Sequence, residues 1–246
     1  MSEIAPTREG PPPRWVPAVL SFVAGYVDVY TFLALFGLFV AQVTGSFVTA
    51  GAELVTHDIG ITGKLVAILA FLVAAAFTTG LIGMMRGQNR DALPWMLAFE
   101  TALLAAFAAM LLGGPIANVS DWHGIVAGVF AAMAMGAQSV IVRLLMRGVP
   151  QTNVMTGNMT QLGIETTQLL MAWRRYVRDP ANRNTADEFA EVQVRLGVVL
   201  AIAVGFVLGA GAGATAYAKS GLSGAPLAVL LVGALTVWSI RREGRG

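Results

Sequence analysis

Two acids stand where acids are costly. Asp28 lies inside an apolar run of about 25 residues and Glu100 inside another. A charge near the centre of a membrane costs at least about 2.5–3.5 kcal/mol on insertion scales. Acids kept there face a protein interior, where they serve ion or proton pathways or hold helices together. A second chemical signal is a recurring decapeptide. Thr44-Gly45-Ser46-Phe47-Val48-Thr49-Ala50-Gly51-Ala52-Glu53 returns 112 positions on (44 to 156) as Thr156-Gly157-Asn158-Met159-Thr160-Gln161-Leu162-Gly163-Ile164-Glu165. The shared pattern is T-G-x5-G-x-E, and an internal repeat governs every later reading of a chain.

Threonine followed by glycine suits the start of a helix or a break in one. The hydroxyl can cap free N–H groups, and glycine lets another backbone come close. Helix N-termini exposed at mid-membrane attract anions or polar groups; the alternative is a dry packing break. Glu53 and Glu165 each lie eight residues past the motif glycine, about 80° round a helix from it. They are either gating or ion-attracting carboxylates or water-exposed element ends. Gln42, Gln138, Asn153 and Asn158 add amides near the motifs, each able to act as interhelical glue. The pathway these groups would line consists of Asp28, Gln42, Thr44, Gly45, Ser46, Glu100, Gln138, Asn153, Thr156, Gly157 and Asn158. Arg143, at the end of a run, is explained by snorkelling to the interface.

Other chemistry is excluded or unsupported. There is no cysteine, so disulfides and thiolate metal sites are out. The two histidines, His57 and His123, are far apart and lack zinc spacing. No P-loop or G-x-S-x-G is present, so neither an enzyme nor a cofactor or metal is expected. The arginine clusters flank apolar runs, which makes them topology signals rather than nucleic-acid contacts.

The elements that must position these residues are membrane helices. The chain is 56% hydrophobic and 12% charged, against about 25% charged in an ordinary soluble domain. Its mean hydropathy is +0.70. Six segments meet the requirement of roughly 20 apolar residues: about 15–38, 64–85, 93–113, 123–146, 195–218 and 222–240. Pro94, Gly113-Gly114-Pro115 and Gly148-Val149-Pro150 punctuate them. With six spans, all but Lys64 and Lys219 of the 16 basic residues fall on one side, which makes both termini cytoplasmic. Counting the T-G segments as full spans would split the arginines. Gln42, Glu53, His57 and Asp58 also interrupt the first of them.

The expected fold is therefore an all-α integral membrane protein of six transmembrane helices, arranged as two inverted three-helix repeats. Each repeat carries one T-G-x5-G re-entrant or broken-helix element. Residues 1–14 form a disordered cytoplasmic tail, 15–113 the first repeat and 123–240 the second, including a cytoplasmic segment at 172–194. That segment is either a solvated loop with membrane-surface arginines or a helical lead-in with Glu191 and Arg195 at i,i+4. Small residues step at i+4 through Gly124, Gly128, Ala132 and Gly136, and through Gly205, Gly209 and Gly213. Both ladders allow close helix contact, either within the chain or in a homodimer. Trp15, Trp95, Trp122 and Trp238 are interfacial anchors.

Gly25-Tyr26-Val27-Asp28 with Phe39-Val40-Ala41-Gln42-Val43-Thr44-Gly45, and Ala134-Met135-Gly136-Ala137-Gln138 with Arg143 and Thr156-Gly157-Asn158, resemble the YoaK-like family across roughly 15–240. These are bacterial inner-membrane proteins with a domain of unknown function. The resemblance implies six spans and supplies no substrate. The family usually has T-G-N in the first motif, where this chain has Ser46.

Two functions follow. The first is a transporter or channel for a small solute or ion, with the T-G elements lining a polar pathway between the repeats. On that reading Asp28→Asn abolishes flux. The alternative is a non-transporting scaffold or partner-binding subunit that works through the small-residue ladders and segment 172–194.

Overall fold

The computed structural model describes residues 13–56, 60–88, 90–114 and 116–243. The tail expected to be disordered lies, except for Pro13 and Arg14, outside the described residues, as do His57 and Asp58. The described residues form eight α-helices: α1 (Trp15–Ala34), α2 (Val43–Thr56), α3 (Ile61–Gly87), α4 (Leu93–Leu112), α5 (Trp122–Leu145), α6 (Met155–Arg178), α7 (Arg183–Ser220) and α8 (Pro226–Glu243). A short 3-10 turn, Gly221–Gly224, joins the last two. No strand occurs among the described residues. Among the described residues, five helices are long and apolar enough to cross a membrane: α1, α3, α4, α5, and α7 with its following turn. The chain is thus a multi-pass helical membrane protein. The segment expected to cross sixth, 222–240, starts as the 3-10 turn and becomes helix only at Pro226. Gly221 takes a φ of +54°, which ends α7, and proline then suits the first turn of α8.

Both T-G pairs begin helices. Thr44-Gly45 sits in the first turn of α2 and Thr156-Gly157 in the first turn of α6. Each helix follows a non-helical stretch, 35–42 or 146–154. The chain leaves α1 by a reversal at Phe36 (φ +53°) and Gly37 (φ +82°), and leaves α5 through Gly148 (φ +76°). Buried backbone of this kind needs partners inside the protein. One partner recurs in both halves: Ser46 Oγ donates to the carbonyl of Phe39 (2.6 Å), and Asn158 Nδ2 donates to that of Gln151 (2.7 Å). Each bond reaches back seven residues, and the two are 112 positions apart (46 to 158).

The halves interleave. α1 packs along α7, and α5 packs along α3. Carbonyl oxygens of Ala18, Phe22 and Tyr26 lie where a Cβ on Gly205, Gly209 or Gly213 would have to sit, at 2.6, 2.0 and 2.5 Å. Gly25 is matched in the same way to Phe206, and Gly136 of α5 to Phe71 of α3. The ladder on α7 is therefore spent on contact within the chain, as is Gly136.

Contacts also sort the helix ends. At one end Trp15 meets Trp238 edge-on at 5.0 Å, and Arg86 Nη2 donates to Leu144 O at 2.7 Å. At the other end Tyr30 donates to Gly221 O at 2.6 Å, and Leu35 lies against Gly124. The first end carries the arginines of α3, α5 and α8, and the second carries Lys64 and Lys219.

The expected lead-in at 172–194 is one part of a larger feature. α6 runs unbroken to Arg178 and α7 begins at Arg183, giving a helical hairpin. Tyr176 stacks on Phe189 at 5.5 Å, and Arg175 pairs with Glu188. α6 and α7 have 24 and 38 residues where α2 and α3 have 14 and 27, so the hairpin extends both arms.

Candidate functional site

The two non-helical stretches meet in the interior. Asp28 lies 13 residues into α1, about 20 Å along its axis. Its Oδ1 accepts the N–H groups of Val40 and Ala41 (2.8 Å each) and of Gln42 (3.4 Å). This carboxylate holds the stretch that leads into α2. On the other side Gln138 of α5 donates to Thr152 Oγ1 (2.8 Å) and to Leu20 O (2.9 Å). Ser21 lies against the carbonyls of Thr152 (2.9 Å) and Ile202 (2.8 Å). Asn153 Nδ2 joins the two stretches, donating to Ser139 Oγ (2.7 Å) and to Ala41 O (3.3 Å). Gln138 Oε1 and Asn153 Oδ1 are buried and accept nothing among the described residues.

Below this junction a cavity of about 550 Å³ opens at the start of α6. Arg143, Gln151, Gly157, Asn158, Gln161, Glu165 and Arg195 give it polar walls, and Val154, Val194, Val198 and Val199 give it apolar ones. The counterpart beside α2 is filled. The Phe39 ring sits so close to Gly45 that a Cβ there would meet it at 2.8 Å, and Phe32 packs on Phe39 at 4.8 Å. A cavity of about 30 Å³ lies between Leu35, Phe36, Leu38 and Lys64. Phe39 stands where Gln151 stands 112 positions later.

A family model described as "Protein of unknown function (DUF1275)" matches residues 16–238. The chain belongs to the DUF1275 family. No curated protein and no solved structure matches it.

In this DUF1275 chain, Asp28, Gln42, Ser46, Gln138, Asn153 and Asn158 belong to the junction or its flanks. Of the motif residues, Gly157, Asn158, Gln161 and Glu165 line the cavity. Thr44 and Thr156 are exposed on their helices and cap nothing at α6, whose start after Val154 has no side-chain cap. Glu100 is not part of the junction. It is fully buried on α4, which packs against α5 and α8, and neither oxygen has a hydrogen-bond partner among the described residues.

Both motif glutamates are paired rather than free. Glu53 pairs with Lys64 at the head of α3. Glu165 accepts from Arg195 Nε (3.2 Å) and from Gln161 (2.8 Å). Each thus ties its half-length or extended helix to the next helix in the chain. Arg195 also engages Glu191, the expected i,i+4 partner, at 2.8 Å and Gln168 at 3.0 Å.

Sequence reasoning missed Ser21, Thr152 and the pairing roles of Lys64 and Arg195. The available signal was a basic residue at the start of the apolar run that follows each motif glutamate. It also missed Tyr26 and Tyr30, spaced i,i+4, which donate to Gly224 O (2.8 Å) and Gly221 O (2.6 Å) and lock α1 to the turn after α7.

Proposed function

We propose that this chain is a transporter or channel for a small solute or ion, with a polar pathway between two inverted repeats. The proposed unit is a YoaK-like protein of the bacterial inner membrane with six crossing helices, α8 being the sixth. Both termini and the arginine-bearing helix ends are on the cytoplasmic side. Support for the inverted repeats comes from the hydrogen bonds that recur 112 positions apart and from the reciprocal packing of α1 on α7 and α5 on α3. Helices that begin inside the bundle, at matching places in two halves, are a recurring architecture of transporter sites.

One observation carries the functional reading. Two matching positions flank a buried polar junction. One is an open cavity of about 550 Å³ and the other is plugged by Phe39. That inequality suits a pathway entered from the cytoplasmic side, with Phe39 as the outer closure.

The chain has no cysteine, so single cysteines report without background. Asn158→Cys and Ser46→Cys in sealed vesicles are treated with a small membrane-impermeant thiol reagent from each side. Asn158→Cys reacts from the cytoplasmic side and Ser46→Cys is protected. Adding Phe39→Ala makes Ser46→Cys react from outside. If a folded Asn158→Cys protein is inert from both sides, the motifs are dry packing breaks and the scaffold reading replaces transport.

A further inference from the structure

We propose that the cavity at the start of α6 binds a small carboxylate bearing a hydroxyl or ammonium donor on the neighbouring carbon, held by Arg143 and Asn158. The proposal names a substrate class for the pathway and rests on that reading for its physiological meaning, although binding itself is tested separately.

The charge of the cavity decides the sign of the ligand. Three ionisable side chains line it. Arg195 and Glu165 neutralise each other, and Arg195 spends its remaining nitrogens on Glu191 and Gln168. Arg143 has no carboxylate partner among the described residues. Its Nε meets the Gln151 side-chain oxygen at 3.3 Å when that amide is turned to satisfy both its ends. The guanidinium edge is left over, and its planar fork matches a carboxylate. The uncapped first turn of α6 adds partial positive charge on the same side.

The second half of the ligand follows from Asn158. This residue is only 4% exposed and lines the cavity. Its Nδ2 is committed to Gln151 O at 2.7 Å, while no described residue donates to its Oδ1. That acceptor is left open at the cavity wall, so the ligand that fits best supplies a donor to it. The valine walls accommodate a short alkyl chain. The matching positions of the first repeat are Thr31, Phe39 and Ser46, which offer no cation, so the site belongs to the α6 side alone.

The test uses the full chain in nanodiscs, with radiolabelled lactate as probe and serine and acetate as competitors. Lactate binds saturably, serine competes with it, and acetate is weaker by about tenfold, the loss expected for one hydrogen bond. Arg143→Gln weakens lactate at least about tenfold. Asn158→Ser keeps a donor to the Gln151 carbonyl, as Ser46 does for Phe39, but its shorter side chain draws the accepting oxygen back from the cavity. Lactate then falls to the affinity of acetate, while acetate is unchanged. Absence of saturable lactate and serine binding to monodisperse protein overturns the proposal, as does unchanged binding in Arg143→Gln. Equal lactate and acetate affinity in the unmodified chain overturns the role of Asn158. Lactate flux in proteoliposomes separates the two claims. Binding without flux sinks transport and leaves the site standing, whereas flux unaltered by Arg143→Gln sinks the site and leaves transport standing.

Discussion

Asn153 donates its amide to the carbonyl of Ala41 at 3.3 Å, and the two residues are 112 positions apart, the spacing of the T-G repeat. The matching points of the two halves therefore touch. Interhelical hydrogen bonds in membrane proteins average about 0.6 kcal/mol and reach about 1.7. Asn153→Ala loses this bond and the one to Ser139, so a destabilisation of about 1–2 kcal/mol is expected. Asn153→Asp is worse, because a carboxylate oxygen would then face the Ala41 carbonyl with no proton between them. Denaturant titration in mixed micelles ranks the two variants, and Asp equal to or milder than Ala would contradict the assigned contact.

Asp28 is the sharpest acid in the sequence, and its Oδ1 is occupied by the amides of Val40, Ala41 and Gln42. Asparagine keeps an acceptor at that place and loses only the charge assistance, so Asp28→Asn should cost about 1–2 kcal/mol. Alanine leaves buried N–H groups without partners at about 1–3 kcal/mol each, so Asp28→Ala should fold poorly. Flux, once a substrate is in hand, should survive Asp28→Asn, contrary to the expectation from sequence. Complete loss of flux in a stable Asp28→Asn protein would give the carboxylate a direct part in the pathway instead.

Much of the architecture was legible because its signals are local. The repeat, the apolar runs and the arginines beside them are read from neighbours along the chain, and the helices that begin at Thr44-Gly45 and Thr156-Gly157 follow from them. What Asp28 does was not legible. Its partners lie 12–14 residues on and reach it only because the chain reverses at Phe36 and Gly37. The use of the α7 glycines was open for a similar reason. A small-residue stripe says that a backbone comes close, but not whose, and here α1 takes that face. Glu100 was grouped with Asp28 because both interrupt apolar runs, yet depth along a helix says nothing about which way a side chain points. The open cavity has Gln151 where the filled side has Phe39, a difference outside the T-G motif itself.

The glycine contacts give a contrast that needs no ligand. A Cβ on Gly209 would stand 2.0 Å from the Phe22 carbonyl oxygen, a backbone atom that cannot swing aside. Gly163, on α6, has nothing within 4 Å of the same position. Gly209→Ala must separate α1 from α7 and should sharply lower the yield of folded protein. Gly163→Ala should be neutral or stabilise by up to about 1 kcal/mol through helix propensity. Size-exclusion profiles and thermal melts of the two variants check this. A well-folded Gly209→Ala protein of ordinary stability would mean that α1 and α7 are farther apart than described.

The two motif ion pairs should differ in strength because they differ in burial. The Glu53 and Lys64 side chains are 14% and 5% exposed, whereas Arg195, the partner of Glu165, is 41% exposed. Removing one member of a buried pair strands the other charge, at about 3–5 kcal/mol. Glu53→Gln or Lys64→Met alone should therefore destabilise strongly. Replacing both with apolar residues of similar volume, as in Glu53→Leu with Lys64→Met, should recover most of the loss, since the desolvation of two charges disappears with them. Glu165→Gln should cost less, because water and Glu191 still serve Arg195. Melting temperatures of the four variants in detergent test the order. If Glu53→Gln proves milder than Glu165→Gln, or if the double variant is no better than the singles, then Glu53 and Lys64 are not isolated from water as a pair.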